Sequence, residues 1–127
     1  MARDLDALEH RTKQFTIDVV RLCNLLEGLP GVRQLTWQLV ASAGSVGSNH
    51  RAMRRARSTR EFAAKLQIVN EEIDESVFWL QVISAVHPLA AQERMKVISG
   101  EAVELRNIFA RARGTLRRGA DGSESQD

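Results

Sequence analysis

The sequence predicts an all-α protein, a single-domain, up-down-up-down antiparallel four-helix bundle. Four segments carry apolar residues at spacings of three and four, short turn signals separate them, and no segment alternates apolar and polar residues as a half-buried strand does. The chain has 127 residues, 43% hydrophobic and 27% charged, which is enough to bury one core. We predict helices at about 4–27, 32–50, 59–86 and 89–117 within a bundle domain at 1–118, and a disordered polar tail at 119–127.

The first two helices are separated by a turn that the sequence marks clearly. Helix 1 stops at Gly28, and the Leu-Pro-Gly sequence at 29–31 forms the turn. Helix 2 then carries a run of small residues that includes Gly44 and Gly47, each of which costs a helix about 1 kcal/mol relative to alanine. We interpret this thin face as the place where a neighbouring helix packs closely. The alternative is that helix 2 frays there.

Helix 3 begins at a capping box, the Ser-Thr-Arg-Glu sequence at 58–61. Its apolar residues from Phe62 to Ile83 keep the three and four spacing that is typical of the seam of a left-handed bundle. Pro88 cannot continue that helix but suits the first turn of the next one, so we place the start of helix 4 near residue 89.

The positive charge of the chain is concentrated in one segment. The formal net charge is only +2, yet residues 49–65 hold six cations and a single carboxylate, Glu61. Guanidinium groups bind phosphate oxygens through paired hydrogen bonds, so this segment is the best functional candidate. The candidate nucleic-acid-binding residues are Arg51, Arg54, Arg55, Arg57, Arg60 and Lys65.

Recognition by this segment is expected to depend on backbone and shape. No aromatic residue lies between Trp37 and Phe62, so the segment has no platform on which unpaired bases could stack. The alternative is a solvated connection, or arginines that pair with acidic residues of the same or a neighbouring subunit. Five further arginines on helix 4 and its exit either complement the helix dipole or extend a binding face. These are Arg106, Arg111, Arg113, Arg117 and Arg118.

An acidic patch follows on helix 3 and consists of Glu71, Glu72, Asp74 and Glu75. A di-iron site in a bundle needs Glu-x-x-His on each of two helices, whereas the pairs at 72/75 and 101/104 are both Glu-x-x-Glu, so we expect no metal. Ion pairing with the arginine segment is the favoured interpretation, with Arg57 as the partner of Glu75. The candidate oligomer or ion-pair contacts are Trp37, Glu71, Glu72, Glu75, Phe78 and Trp79.

Catalysis, export and membrane insertion have no support in the sequence. No serine stands with a histidine and an acid in a recognisable context, and Gly44 and Gly47 lack the Gly-Lys-Ser/Thr of a phosphate-binding loop. The lone Cys23 cannot form a disulfide within the chain, nothing marks a signal peptide, and no apolar run approaches the roughly 20 residues of a membrane span. We therefore predict a cytoplasmic protein that is not an enzyme and uses no cofactor.

A set of spaced residues between positions 35 and 80 carries a family resemblance. They are Gln38-Leu39, Ala43, Ser45-Val46, Asn49, Arg57-Ser58, Glu61-Phe62, Leu66, Ile68 and Glu75. This pattern resembles that of the 23S rRNA intervening-sequence proteins, small bacterial four-helix bundles whose relatives include accessory proteins of diversity-generating retroelements. The resemblance implies a homopentamer and possible binding of RNA or DNA.

The chain departs from the family pattern at three places. Val40 and Ala41 stand where the family often has two arginines, Arg-Ala-Met at 51–53 replaces Ala-Glu-Gly, and Glu71-Glu72 replaces Gly-Ser. The sequence is therefore similar to a divergent branch, and two hypotheses follow. The first is a nucleic-acid-associated accessory protein. The second is a protein-interaction scaffold in which the charges and the exposed aromatic residues build subunit or partner contacts; charge reversal at Arg54 and Arg55 is expected to separate the two.

Overall fold

The structure is a computed structural model that describes the backbone of residues 2–126 and the side chains of residues 4–119. It consists of four helices joined by short connections. They are α1 (Ala2–Leu26), α2 (Val32–Arg54), α3 (Thr59–Val86) and α4 (Gln92–Gln126). Each helix packs against its neighbour in sequence and α4 packs against α1, which is the arrangement of an antiparallel bundle. The described residues contain no strand, and the all-α prediction is confirmed. The backbone of α4 is helical to Gln126, beyond the predicted end near residue 117, so the predicted disordered tail at 119–127 is helical up to that residue.

The core is built from the apolar stripe of every helix. The stripe of α1 is buried from Phe15 to Leu26, and the stripe of α3 is buried from Leu66 to Ile83. Apolar periodicity alone misses the polar residues that share these core positions. They are Thr12, Ser42, His50 and Ser76. The hydroxyl of Ser76 donates to that of Ser42 over 2.9 Å, and this buried pair joins α2 to α3.

Besides the end of α4, two helix boundaries differ clearly from the prediction. α2 continues to Arg54 instead of ending near residue 50, because Met53 adds one more buried residue to its apolar stripe. α4 begins at Gln92 instead of about residue 89. Residues 87–91 form successive turns in which Ala91 has a φ of 47°, a left-handed conformation that no helix can contain. Pro88 therefore lies in the connection before α4, and the first turn of that helix begins beyond it.

The thin face of α2 meets α1 at one glycine only. A Cβ atom placed on Gly47 would lie 3.0 Å from the hydroxyl oxygen of Thr16 and 3.5 Å from the carbonyl oxygen of Thr12. A Cβ atom on Gly44 would meet nothing within 4 Å. The interpretation that a neighbouring helix packs closely is therefore confirmed at Gly47 and wrong at Gly44, and α2 does not fray at either residue.

None of the helices, over the residues that the structure describes, is long and apolar enough to cross a membrane.

Candidate nucleic-acid interface

Two surface grooves meet at the C-terminal end of α2. The first lies between α1 and α2 and has a volume of about 590 Å³, and the second lies between the end of α2 and the start of α3 and has a volume of about 630 Å³. Ser48, Arg51 and Arg55 line both grooves, so the two form one continuous surface, which we call the basic groove. Its other lining residues are Glu9, His10, Lys13, Thr16, Ile17, Gly44, Gly47, Ala52, Arg57, Glu61 and Lys65.

The spacing of residues along α2 explains the shape of this groove. Gly44, Ser48, Arg51 and Arg55 follow one another at intervals of four, three and four, which places them on one face of the helix. The glycine has no side chain to fill the space beside α1, so it leaves a floor of backbone. About two turns later Arg51 places a guanidinium group above that floor, and Arg55, which follows the last residue of α2, places a second one about a turn beyond it.

Four of the six cations predicted from the sequence line the basic groove. Arg51, Arg55 and Arg57 are exposed, Lys65 is half-buried, and none of the four forms an ion pair with a described carboxylate. Arg60 is also exposed but does not line either groove. The segment thus offers several guanidinium groups whose hydrogen-bond donors are available to an anion.

The groove also contains a lysine and a histidine that the sequence did not identify as site residues. Lys13 and His10 lie on α1, far from the arginine segment in sequence, and reach the groove because α1 packs beside α2. No local motif marks them. The only sequence signal is their position relative to the buried Phe15 and Thr12, which would have placed them on the outer side of α1 without identifying the neighbouring helix.

Arg54 stands apart from the other cations of the segment. Its Nη2 lies 2.6 Å from Oδ1 of Asp6, and its Nη1 donates to Oε2 of Glu9 over 3.0 Å. The side chain is only 23% exposed, and it lines neither groove. Two carboxylates of α1 therefore already bind this guanidinium. A charge reversal that includes Arg54 would also break these two ion pairs between α1 and α2.

The acidic patch on α3 does not meet the arginine segment within one chain. Glu75 accepts a hydrogen bond from the indole of Trp79 over 3.2 Å, and Glu71 accepts one from the amide of Gln67 over 3.2 Å. Burial raises the pKa of Glu72, and repulsion from Glu75 and Glu71 raises it further. The expected pair of Arg57 and Glu75 is therefore absent from the described contacts within the chain, and pairing between subunits stays a prediction.

The glutamates of α4 that share the predicted spacing bind an arginine. The guanidinium of Arg11 contacts the carboxylates of both Glu101 and Glu104, with 3.1 Å between its Nη2 and Oε1 of Glu104. The hydrogen bond to Glu101 is the main reason that the pKa of Arg11 is raised. No group of three or more histidine, cysteine, aspartate or glutamate residues in the described part of the chain is placed to hold a metal ion.

The candidate contact aromatics lie on two helices. Trp37 on α2 is 75% exposed and Phe78 on α3 is 51% exposed. Trp79 is half-buried against the core and packs edge-on against Phe78, with 4.9 Å between the ring centroids. Phe78 is thus a surface residue, while Trp79 is shared between the core and the surface.

Comparison with known proteins supports the fold. No family model and no curated protein matches the chain. Solved structures that match include a protein of unknown function from the S23 ribosomal protein family of Bacteroides thetaiotaomicron, with a TM-score of 0.74 and 22% sequence identity over 83% of this chain and 96% of that chain. The four-helix bundle that the sequence resemblance implied is therefore also the fold of a structurally similar protein from that family.

Proposed function

We propose that this protein is a non-enzymatic, nucleic-acid-associated accessory protein that binds the phosphate backbone in its basic groove. The observation that carries the proposal is the convergence of Arg51, Arg55, Arg57 and Lys65 with Lys13 of α1 on one open surface. Each phosphate neutralised there would release condensed counterions, so the affinity is expected to fall steeply with salt. A cytoplasmic location fits this function and is part of the proposal.

The residues around the groove favour backbone recognition over base recognition. No phenylalanine, tyrosine or tryptophan lines it, and the imidazole of His10 is a single small ring, whereas readers of unpaired strands stack successive bases on several aromatic rings. Glu9 and Glu61 also lie along the groove and would repel a strand that followed its whole length. Structured RNA or duplex DNA, which presents phosphates in two separate rows, is therefore the expected ligand.

Reversing the two shared arginines is the test of this proposal. We expect the double variant Arg51→Glu, Arg55→Glu to bind structured RNA and duplex DNA at least about 100-fold more weakly, because two phosphate contacts are replaced by repulsion. Fluorescence anisotropy across a salt series measures this loss, and light scattering checks the mass of each sample. Arg33→Glu, Arg94→Glu is the matched control, since both residues are exposed at the opposite end of the bundle.

Two outcomes would contradict the proposal. The first is that the wild-type protein binds neither ligand even at low salt. The second is that the control variant loses as much affinity as the Arg51 and Arg55 variant, because binding would then depend on net charge alone. Arg54 is left unchanged in this design, since it pairs with Asp6 and Glu9.

A second candidate function is a homo-oligomeric interaction scaffold, and the exposed aromatic residues favour it. We propose an assembly, a pentamer by resemblance, in which Trp37 and Phe78 lie in subunit contacts. Phe78 is 51% exposed and packs against Trp79, and clustered apolar side chains at a surface are typical of protein contacts. Trp37 is 75% exposed on the adjacent helix α2. Asp74 of the acidic patch pairs with Arg106 over 3.8 Å, while Glu71, Glu72 and Glu75 form no ion pair with a described cation and would find their cations on the neighbouring subunit.

Substituting Phe78 with lysine is expected to lower the mass measured by light scattering. The change places a charge where a ring would be buried between subunits, and a desolvated charge without a partner opposes assembly. Val20→Lys is the control, because Val20 is an exposed apolar residue on α1. A wild-type protein with the mass of a single chain, or an unchanged mass in the Phe78 variant, would contradict this contact.

A further inference from the structure

We infer that Arg54 is a positioning residue for the basic groove: it binds the Glu9 carboxylate and so weakens the competition of that carboxylate with phosphate for Arg51 and Arg55. This inference rests on the function proposed above. It assigns an indirect role to a residue that the sequence placed among the phosphate contacts.

The geometry separates Arg54 from its neighbours on α2. Arg51 and Arg55 lie three positions before it and one position after it, and both line the basic groove. Arg54 points instead to α1, where its two terminal nitrogens lie 2.6 Å from Asp6 and 3.0 Å from Glu9. A guanidinium that already binds two carboxylates has few donors left for a phosphate.

Glu9 is the residue that links this ion pair to the groove. It lines the part of the groove between α1 and α2, together with Lys13, Arg51 and Arg55, and it is the one carboxylate among the described residues that does so. A free carboxylate beside guanidinium groups would bind the same donors that a phosphate needs. Because Oε2 of Glu9 accepts a hydrogen bond from Arg54, the carboxylate is held toward Arg54 and its charge is offset in part.

The salt dependence of binding distinguishes a positioning residue from a phosphate contact. In anisotropy titrations with a labelled RNA duplex, Arg54→Met is expected to lower the affinity about threefold, with the slope of log affinity against log salt unchanged. Arg55→Met is expected to lower both the affinity and the slope, the latter by about 1. Arg33→Met, which removes the same charge at the other end of the bundle, is the control for net charge.

Rescue through Glu9 provides the second readout. Glu9→Gln is expected to raise the affinity about threefold, because it removes the carboxylate charge that Arg54 offsets only in part. In the Glu9→Gln background, Arg54→Met should then change the affinity by less than about twofold, since no competitor remains to be held. The Glu9 variant keeps the pair of Arg54 and Asp6, so it also tests the inference if Arg54→Met does not fold.

Each outcome separates this inference from the proposed function. Absence of binding by the wild-type protein overturns both. A slope that falls by about 1 in Arg54→Met, as in Arg55→Met, makes Arg54 a phosphate contact and overturns the inference alone. The inference is also overturned if Glu9→Gln leaves the affinity unchanged, or if Arg54→Met loses as much affinity in that background as in the wild type.

Discussion

Replacing Gly47 with leucine is expected to lower the free energy of unfolding by about 3 kcal/mol, because the new side chain would enter a close contact between α1 and α2. The first added atom alone would lie 3.0 Å from the hydroxyl oxygen of Thr16. Thr16 cannot easily move away, since its hydroxyl donates to the carbonyl of Ala43 over 2.9 Å and lies 3.1 Å from the carbonyl of Thr12. Urea denaturation followed by circular dichroism measures the change.

Gly44 offers a matched control one turn earlier on the same helix. A Cβ atom there meets nothing within 4 Å and Gly44 lines the open groove, so the first added atom of Gly44→Leu has room and the rest of the side chain has an open groove beside it. Leucine is the better helix former by up to about 1 kcal/mol, and we expect this variant to be as stable as the wild type or more stable. If the two leucine variants were equally stable, close packing at Gly47 would not set the distance between α1 and α2.

The fold was predictable where the sequence carries both a start signal and a stop signal. The limits of α3 were predicted to the residue, because Ser58 caps its first turn and Pro88 follows its last one. The Ser58 hydroxyl accepts from the N–H of Glu61 over 3.0 Å, as the capping box requires. The end of α2 was placed too early, because a run of arginines hides the apolar period that continues to the buried Met53.

The candidate site was predictable in part only. The arginine segment could be found from charge alone, but the different roles of Arg54 and Arg55 could not, since they are adjacent residues of one type. The rotation of about 100° between them along a helix directs one to the carboxylates of α1 and the other to the groove. Lys13 enters the site for the same reason, since only packing shows which face of α1 meets α2.

A buried histidine is the feature of the core with the largest expected dependence on pH. His50 is fully buried against Phe109, with 5.7 Å between the ring centroids, and neither of its ring nitrogens has a hydrogen-bond partner among the described residues. Burial lowers the pKa of His50; the carboxylate of Glu9 opposes this effect and Arg54 adds to it. The folded protein therefore holds this imidazole neutral.

The direction of the pH effect follows from that lowered pKa. Because the folded pKa lies below the unfolded value, which is about 6.5, the unfolded chain binds the proton first as the pH falls. The contribution of His50 to stability is complete above the unfolded value and is lost as the pH falls toward the folded one. The loss is at most about 1.4 kcal/mol for each pH unit between the two.

His50→Leu is expected to stabilise the protein, and to do so more strongly in acid. At neutral pH the variant removes two buried nitrogens without partners, which is worth about 1–3 kcal/mol, and leucine fills a similar volume beside Phe109. Below about pH 6 the difference in free energy of unfolding between variant and wild type should widen, because only the wild type contains the buried His50, whose pKa is lowered on folding. Urea denaturation of both proteins between about pH 5 and about pH 8 tests this, with the exposed His10→Gln as the control. A variant that is less stable than the wild type, or a difference that stays constant across this range, would show that His50 has partners in solution and that burial does not hold it neutral.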